Sequence, residues 1–102
     1  MGNLGDGAIP ELVPGRVVRV RKGHDAGLWC VVVETDPESG RVLLVDGSLH
    51  PVDRPKRKNP KHLQVTRTVL EDVAARLASG KSLDNGWLAR RIAALRDRGD
   101  AS

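Results

Sequence analysis

The densest chemistry in this 102-residue chain lies in Asp53-Arg54-Pro55-Lys56-Arg57-Lys58-Asn59-Pro60-Lys61-His62-Leu63, where five cations stand among two prolines behind a single acid. Proline fixes φ and favours extended backbone on either side, so the segment is expected to hold its charges in a defined row on a rigid loop. Ordered cations of this kind suit a polyphosphate backbone. A solvated charged face is the competing reading. From Arg54 to Arg67 there are six cations and no acid, whereas the whole chain carries a net charge of only +4. If all six engage phosphate, log affinity should fall against log salt with a slope of about −4 to −5.

Other reactive residues fit less well into sites. Ser79-Gly80-Lys81-Ser82 ends like a phosphate-binding loop, but Ala75 stands where that motif needs glycine and a helical pattern precedes it, so a helix end is expected. His24, His50, His62 and Cys30 lack the spacing of metal ligands, and no metal or cofactor is expected. Cys30 sits within an apolar strand, where a thiol is packed rather than activated. Asp36 with Glu38 suits a turn, and Glu71 with Asp72 suits a helix first turn. Neither catalysis nor a small-molecule substrate is expected. The aromatic residues are Trp29 and Trp87, both read as packing residues, which is too few for a platform stacking successive bases.

These residues need elements to hold them. Residues 1–14 read as a flexible leader. Arg16 to Lys22 alternates valine with cations and reads as a strand with a basic face. Gly23 to Gly27 is a turn, and Leu28 to Thr35 is apolar on both faces, as expected for a strand buried from both sides or curled in a small barrel. Asp36 to Gly40 closes a hairpin onto Val42 to Val45. Asp46-Gly47 is expected to be a two-residue turn into a fourth strand, Leu49 to Val52, and His62 to Thr66 a fifth. The period then changes. Val69, Leu70, Val73 and Leu77 mark a helix ended by Gly80, and Leu88, Ile92 and Leu95 form the stripe of a second helix capped within Ser82 to Gly86. The expected fold is mainly β, a small barrel of about five strands over residues 15–67, with two short helices over 68–102 as a C-terminal appendage.

Gly15-Arg16-Val17-Val18-Arg19-Val20-Arg21-Lys22-Gly23-His24-Asp25-Ala26-Gly27 resembles a KOW motif, the strand, glycine turn and strand unit of several ribosomal proteins and transcription elongation factors. Val45-Asp46-Gly47 followed by Pro55-Lys56-Arg57-Lys58-Asn59-Pro60-Lys61-His62-Leu63-Gln64 extends the resemblance to small bacterial KOW-domain RNA-binding proteins related to large-subunit ribosomal proteins. The resemblance implies an SH3-like barrel that binds ribosomal or other structured RNA without catalysis. Gly27 matches the glycine on which the turn depends. Ala26 replaces the basic residue usual before it, and His50 stands where a fixed cation is expected.

The expected function is therefore an RNA-binding module whose partner is ribosomal RNA or a ribosomal particle. Arg54, Lys56, Arg57, Lys58 and Lys61 are the expected phosphate contacts, with Arg16, Arg19, Arg21 and Lys22 extending their surface. Asn59 and His62 are expected to shape the loop or to touch a base edge or ribose, with a capping role as the alternative, while Gly23, Gly27, Asp46 and Gly47 shape the loops. The alternative is a protein-interaction adaptor that docks a partner through its barrel edge or through the stripe of its helical tail. With one cysteine and no apolar run long enough to cross a bilayer, the expected location is the cytoplasm. From the start Met1-Gly2-Asn3-Leu4-Gly5-Asp6, neither a secretory signal nor a myristoyl site is expected.

Overall fold

The computed structural model describes residues 10–98. The first nine positions of the expected leader, including those that bear on a secretory signal and a lipid anchor, lie outside the described residues. Within the rest of that leader, Leu12 packs against buried strand residues, and the Glu11 carbonyl accepts from Arg16 Nε at 2.8 Å.

Five antiparallel strands are followed by two helices, the mainly β architecture expected for an SH3-like domain. The strands are β1 (Arg16–Val20), β2 (Trp29–Asp36), β3 (Arg41–Val45), β4 (Lys56–Lys58) and β5 (Leu63–Val69), in the order β4-β3-β2-β1-β5. A 3-10 turn, Pro60–His62, joins β4 to β5, and the helices are α1 (Glu71–Ala78) and α2 (Asn85–Arg98).

Alternation along β2 explains the layering. Cys30 and Val32 face one way, with Val18, Val20, Val42, Leu44 and Leu63, into a core made by the strands themselves. Val31 faces the other way with Val17 and Val45, and there the helices cover the sheet with Val73, Leu88, Ile92 and Leu95. The stripe of α2 is thus consumed by the protein's own sheet. Opposite Val17 the β1–β5 register slips, and the buried Thr66 hydroxyl donates to the Val17 carbonyl at 2.7 Å. An irregular register is thereby kept without an orphaned carbonyl.

Three expectations are corrected. Leu49 to Val52 is not a strand, and Asp46-Gly47 is not a two-residue hairpin; residues 46–55 form one long loop. Asp46 organises it, because Oδ1 accepts from the Ser48 and His50 amides at 3.0 and 2.7 Å, an Asx arrangement that competes with ladder pairing. The fourth strand is instead Lys56–Lys58, inside the segment read as a loop. Helix α1 begins only at Glu71, since Val69 still pairs with Arg16 in the sheet. Its end is a Schellman motif: Lys81 N–H donates to the Arg76 carbonyl and Gly80 N–H to the Leu77 carbonyl, with Gly80 at φ +75°. The Ser-Gly-Lys-Ser run is this helix end and the connector after it.

Candidate nucleic-acid interface

The β1–β2 turn is built by its own backbone. Gly27 N–H donates to the Val20 carbonyl at 2.7 Å, Leu28 N–H to Asp25 at 2.9 Å and Ala26 N–H to Gly23 at 3.1 Å. Gly23 and Gly27 both adopt φ +95°, a conformation that side chains with a Cβ resist. The turn brings Arg21 and Lys22, which follow β1, beside the chain that follows β4. Arg21 N–H donates to the His62 carbonyl at 2.7 Å, and Lys58 Nζ reaches the Lys22 carbonyl at 3.4 Å. Asn59 caps the 3-10 turn by accepting from the Lys61 amide at 3.0 Å, so Lys61 is set at its start. Arg21, Lys22, Lys58, Lys61 and His62 therefore meet at one end of the sheet.

Pairing splits the rest of the basic segment. Lys56 lies opposite Leu44 and Lys58 opposite Val42, whereas Arg57 lies opposite Leu43. Side chains alternate along a strand, so Arg57 projects from the other face. There its charge, behind hydrogen bonds from the Ser39 hydroxyl and the Glu38 amide, helps hold Asp36 below the usual carboxylate range. Arg16 stands at the opposite end of β1 from Arg21 and Lys22, paired with Val69 and donating to Glu11. Arg19 pairs across the sheet with Trp29 and Gln64.

The acid-free row is not acid-free in space. Asp25 of the turn accepts from His50 Nε2 at 2.7 Å, with both side chains largely covered at 17% and 16% exposure. Its carboxyl is held below its ordinary value first by that hydrogen bond, against the opposing effect of burial, with the charges of His50, Lys58 and Lys56 adding to it. No spacing in the sequence announces this pairing across 25 positions. It ties the turn to the long loop, and α2 secures that loop on the opposite side: Val52 N–H donates to Asn85 Oδ1 at 2.8 Å, and Gly47, at φ +81°, sits where a Cβ would collide with the Asn85 carbonyl. Two clamps thus fix the approach to β4.

Cys30 is fully buried, and burial, reinforced by the Asp46 and Asp25 carboxylates, pushes its thiol far above the ordinary range. His24 is exposed and His50 is paired with Asp25. Among the described residues, no group of three or more His, Cys, Asp or Glu is placed to hold a metal, and no helix is long and apolar enough to cross a membrane. A groove of about 800 Å³ between α1 and the sheet is lined by Val33, Leu43, Leu77 and Leu83 together with Glu34 and Asp53. Its largely apolar lining, with the two carboxylates beside Lys81, suits it poorly to a polyphosphate.

The family model of the KOW motif matches residues 14–45. Over that stretch the chain is similar to a KOW motif. No curated protein matches it. The KOW match covers β1, its glycine turn, β2 and β3 and ends before β4, so Lys56, Lys58 and Lys61 lie beyond it. KOW motifs are generally found in RNA-binding and ribosomal proteins.

Proposed function

We propose that this protein is a non-catalytic RNA-binding module of the cytoplasm that docks on structured RNA, ribosomal RNA foremost, through the joint surface of the KOW turn and the β4–β5 segment. The observation that carries this reading is the meeting of Arg21 and Lys22 with Lys58, Lys61 and His62, held by the Arg21–His62 and Lys58–Lys22 hydrogen bonds. Two basic segments well separated in the chain form one surface beside a rigid turn, as electrostatic docking on phosphate requires. Asp25, an acid beside this surface, is engaged by His50 Nε2 at 2.7 Å. With Arg57 on the opposite face, five cations remain (Arg21, Lys22, Lys56, Lys58, Lys61), and the expected salt slope is about −4. An adaptor docking through the stripe at Leu88, Ile92 and Leu95 is disfavoured, because these side chains are buried against β1, β2 and β3.

The reading is tested by cross-linking in cells and sequencing the attached RNA. The native chain is compared with one in which Lys56, Lys58, Lys61 and Lys22 are Ala. Discrete large-subunit RNA sites that vanish in the variant are expected. Equal background recovery from both chains would refute the reading.

A further inference from the structure

The KOW turn ends in Leu28 and Trp29, which the core does not fully cover. Trp29 opens β2 half-buried, packing on the outer apolar layer. With Leu28, Ser48, Leu49, Ile92 and Arg96 it lines a cleft of about 330 Å³ between the turn, the long loop and α2. Leu49 is 66% exposed and is the one large hydrophobic side chain left in water among the described residues. Its place is imposed by its surroundings: Asp46 binds the amides on both sides of it, and Gly47 is wedged against Asn85 and Ala89. Leu49 is thus an aliphatic side chain held in solvent on the cleft that Trp29 also lines.

Cations flank this slot. Arg19 is the cross-strand partner of Trp29 and also lines a shallow depression with Arg21, Gly27 and Gln64, which leads to the basic surface described above. Arg96 stands on the α2 wall, where it makes a loose 3.8 Å pair with the adjacent Asp97, both residues being exposed. Asp46 also lines the cleft, but it is buried and its carboxylate is bound by two amides. A ligand that suits the site has a flat apolar body with anionic groups on either side. Those are the features of one nucleotide lifted from its stack. Unpaired bases in RNA are read by stacking on aromatic faces and arginine planes.

We infer that the Trp29–Leu49 cleft takes a single unstacked nucleobase of a structured RNA, with its flanking phosphates against Arg19 and Arg96. This rests on the RNA-binding reading and adds to it a preference for bulged over continuous helix. The test uses the full chain with Trp87 replaced by Phe, so that Trp29 alone fluoresces, and two RNA hairpins that differ by one bulged nucleotide. Tighter binding of the bulged hairpin by about tenfold, with quenching of Trp29, is expected from one stacked base. Leu49→Ser, at an exposed position, and Trp29→Leu should each reduce that preference while the paired hairpin binds as before with the same salt slope. Trp29→Phe should keep part of it. Equal affinity for both hairpins, unchanged in Leu49→Ser, would overturn the cleft assignment and leave the RNA reading standing. Failure of both hairpins to bind would overturn both. Quenching by RNA-free ribosomal protein, and by neither hairpin, would identify a protein occupant and overturn the inference.

Discussion

The two apolar layers on either side of the sheet are built in opposite ways. The inner layer, Val18, Val20, Cys30, Val32, Val42, Leu44 and Leu63, comes wholly from strands. The outer layer joins Val17, Val31 and Val45 of the sheet to Leu70, Val73, Leu83, Leu88, Ile92 and Leu95 from a later stretch of chain. The inner layer makes the barrel. The outer layer also fixes the loop that delivers β4, because α2 holds Val52 and Gly47 from the same side. The helical segment, which in sequence resembles an appendage, is therefore part of what positions the basic surface.

The comparison is broken most directly by one cavity in each layer. Leu44→Ala and Leu88→Ala each remove a side chain that is fully buried and should each cost about 2–5 kcal/mol. Both should lower one cooperative denaturation curve monitored by circular dichroism. Loss of helix signal ahead of the strands in Leu88→Ala would show the layers to be independent.

Next are two glycines of like φ and unlike surroundings. At Gly47 an added Cβ meets the backbone of Asn85 and Ala89, whereas at Gly27 it meets nothing within 4 Å. Gly47→Ala combines backbone strain with overpacking and should cost about 3 kcal/mol, and Gly27→Ala about 1 kcal/mol from conformation alone. Urea titration of both variants checks the ratio. Equal losses would mean that α2 yields freely at the loop.

Charge effects are smaller in stability and larger in binding. Replacing Lys56, Lys58 and Lys61 by Ala should leave the fold intact and reduce the salt slope for structured RNA by about 2–3. Arg57→Ala, on the opposite face, should leave the slope unchanged. An equal effect per cation would show that the strand faces do not separate these side chains functionally.

The smallest expected effect is the Asp25–His50 tie. Asp25 has a folded pKa below its ordinary 3.8, so the stabilisation it contributes is complete above that value and is lost as pH falls through the lower folded one. Asp25→Asn should accordingly be less stable than the native chain at neutral pH, and the difference should shrink on acidification below about pH 4. Thermal melts at pH 7 and pH 3 measure it. A gap of constant size would show that the carboxylate contributes by shape and not by charge.

Much of the architecture is legible along the chain. The valine alternation of β1, the two-sided run of β2, the Asp36-to-Gly40 turn and the two helices are local patterns, each signalled by period or turn chemistry. The fourth strand is not. Lys56–Lys58 has no apolar alternation because its neighbour β3 provides the apolar side chains, and an edge strand rich in lysine resists pairing with other chains. Leu49 to Val52 has the apolar content of a strand, but Asp46 takes its amides into a loop.

For the candidate site, the sequence by itself determined the number of cations, the glycines of the turn and the periods of the strands and helices, because these depend on neighbours within a few residues. Only the tertiary structure decided which cations share a face, that Asp25 stands among them with His50, and that the stripe of α2 covers the sheet. Those outcomes depend on strand register and on contacts across 25 to 70 positions, for which local composition carries no signal.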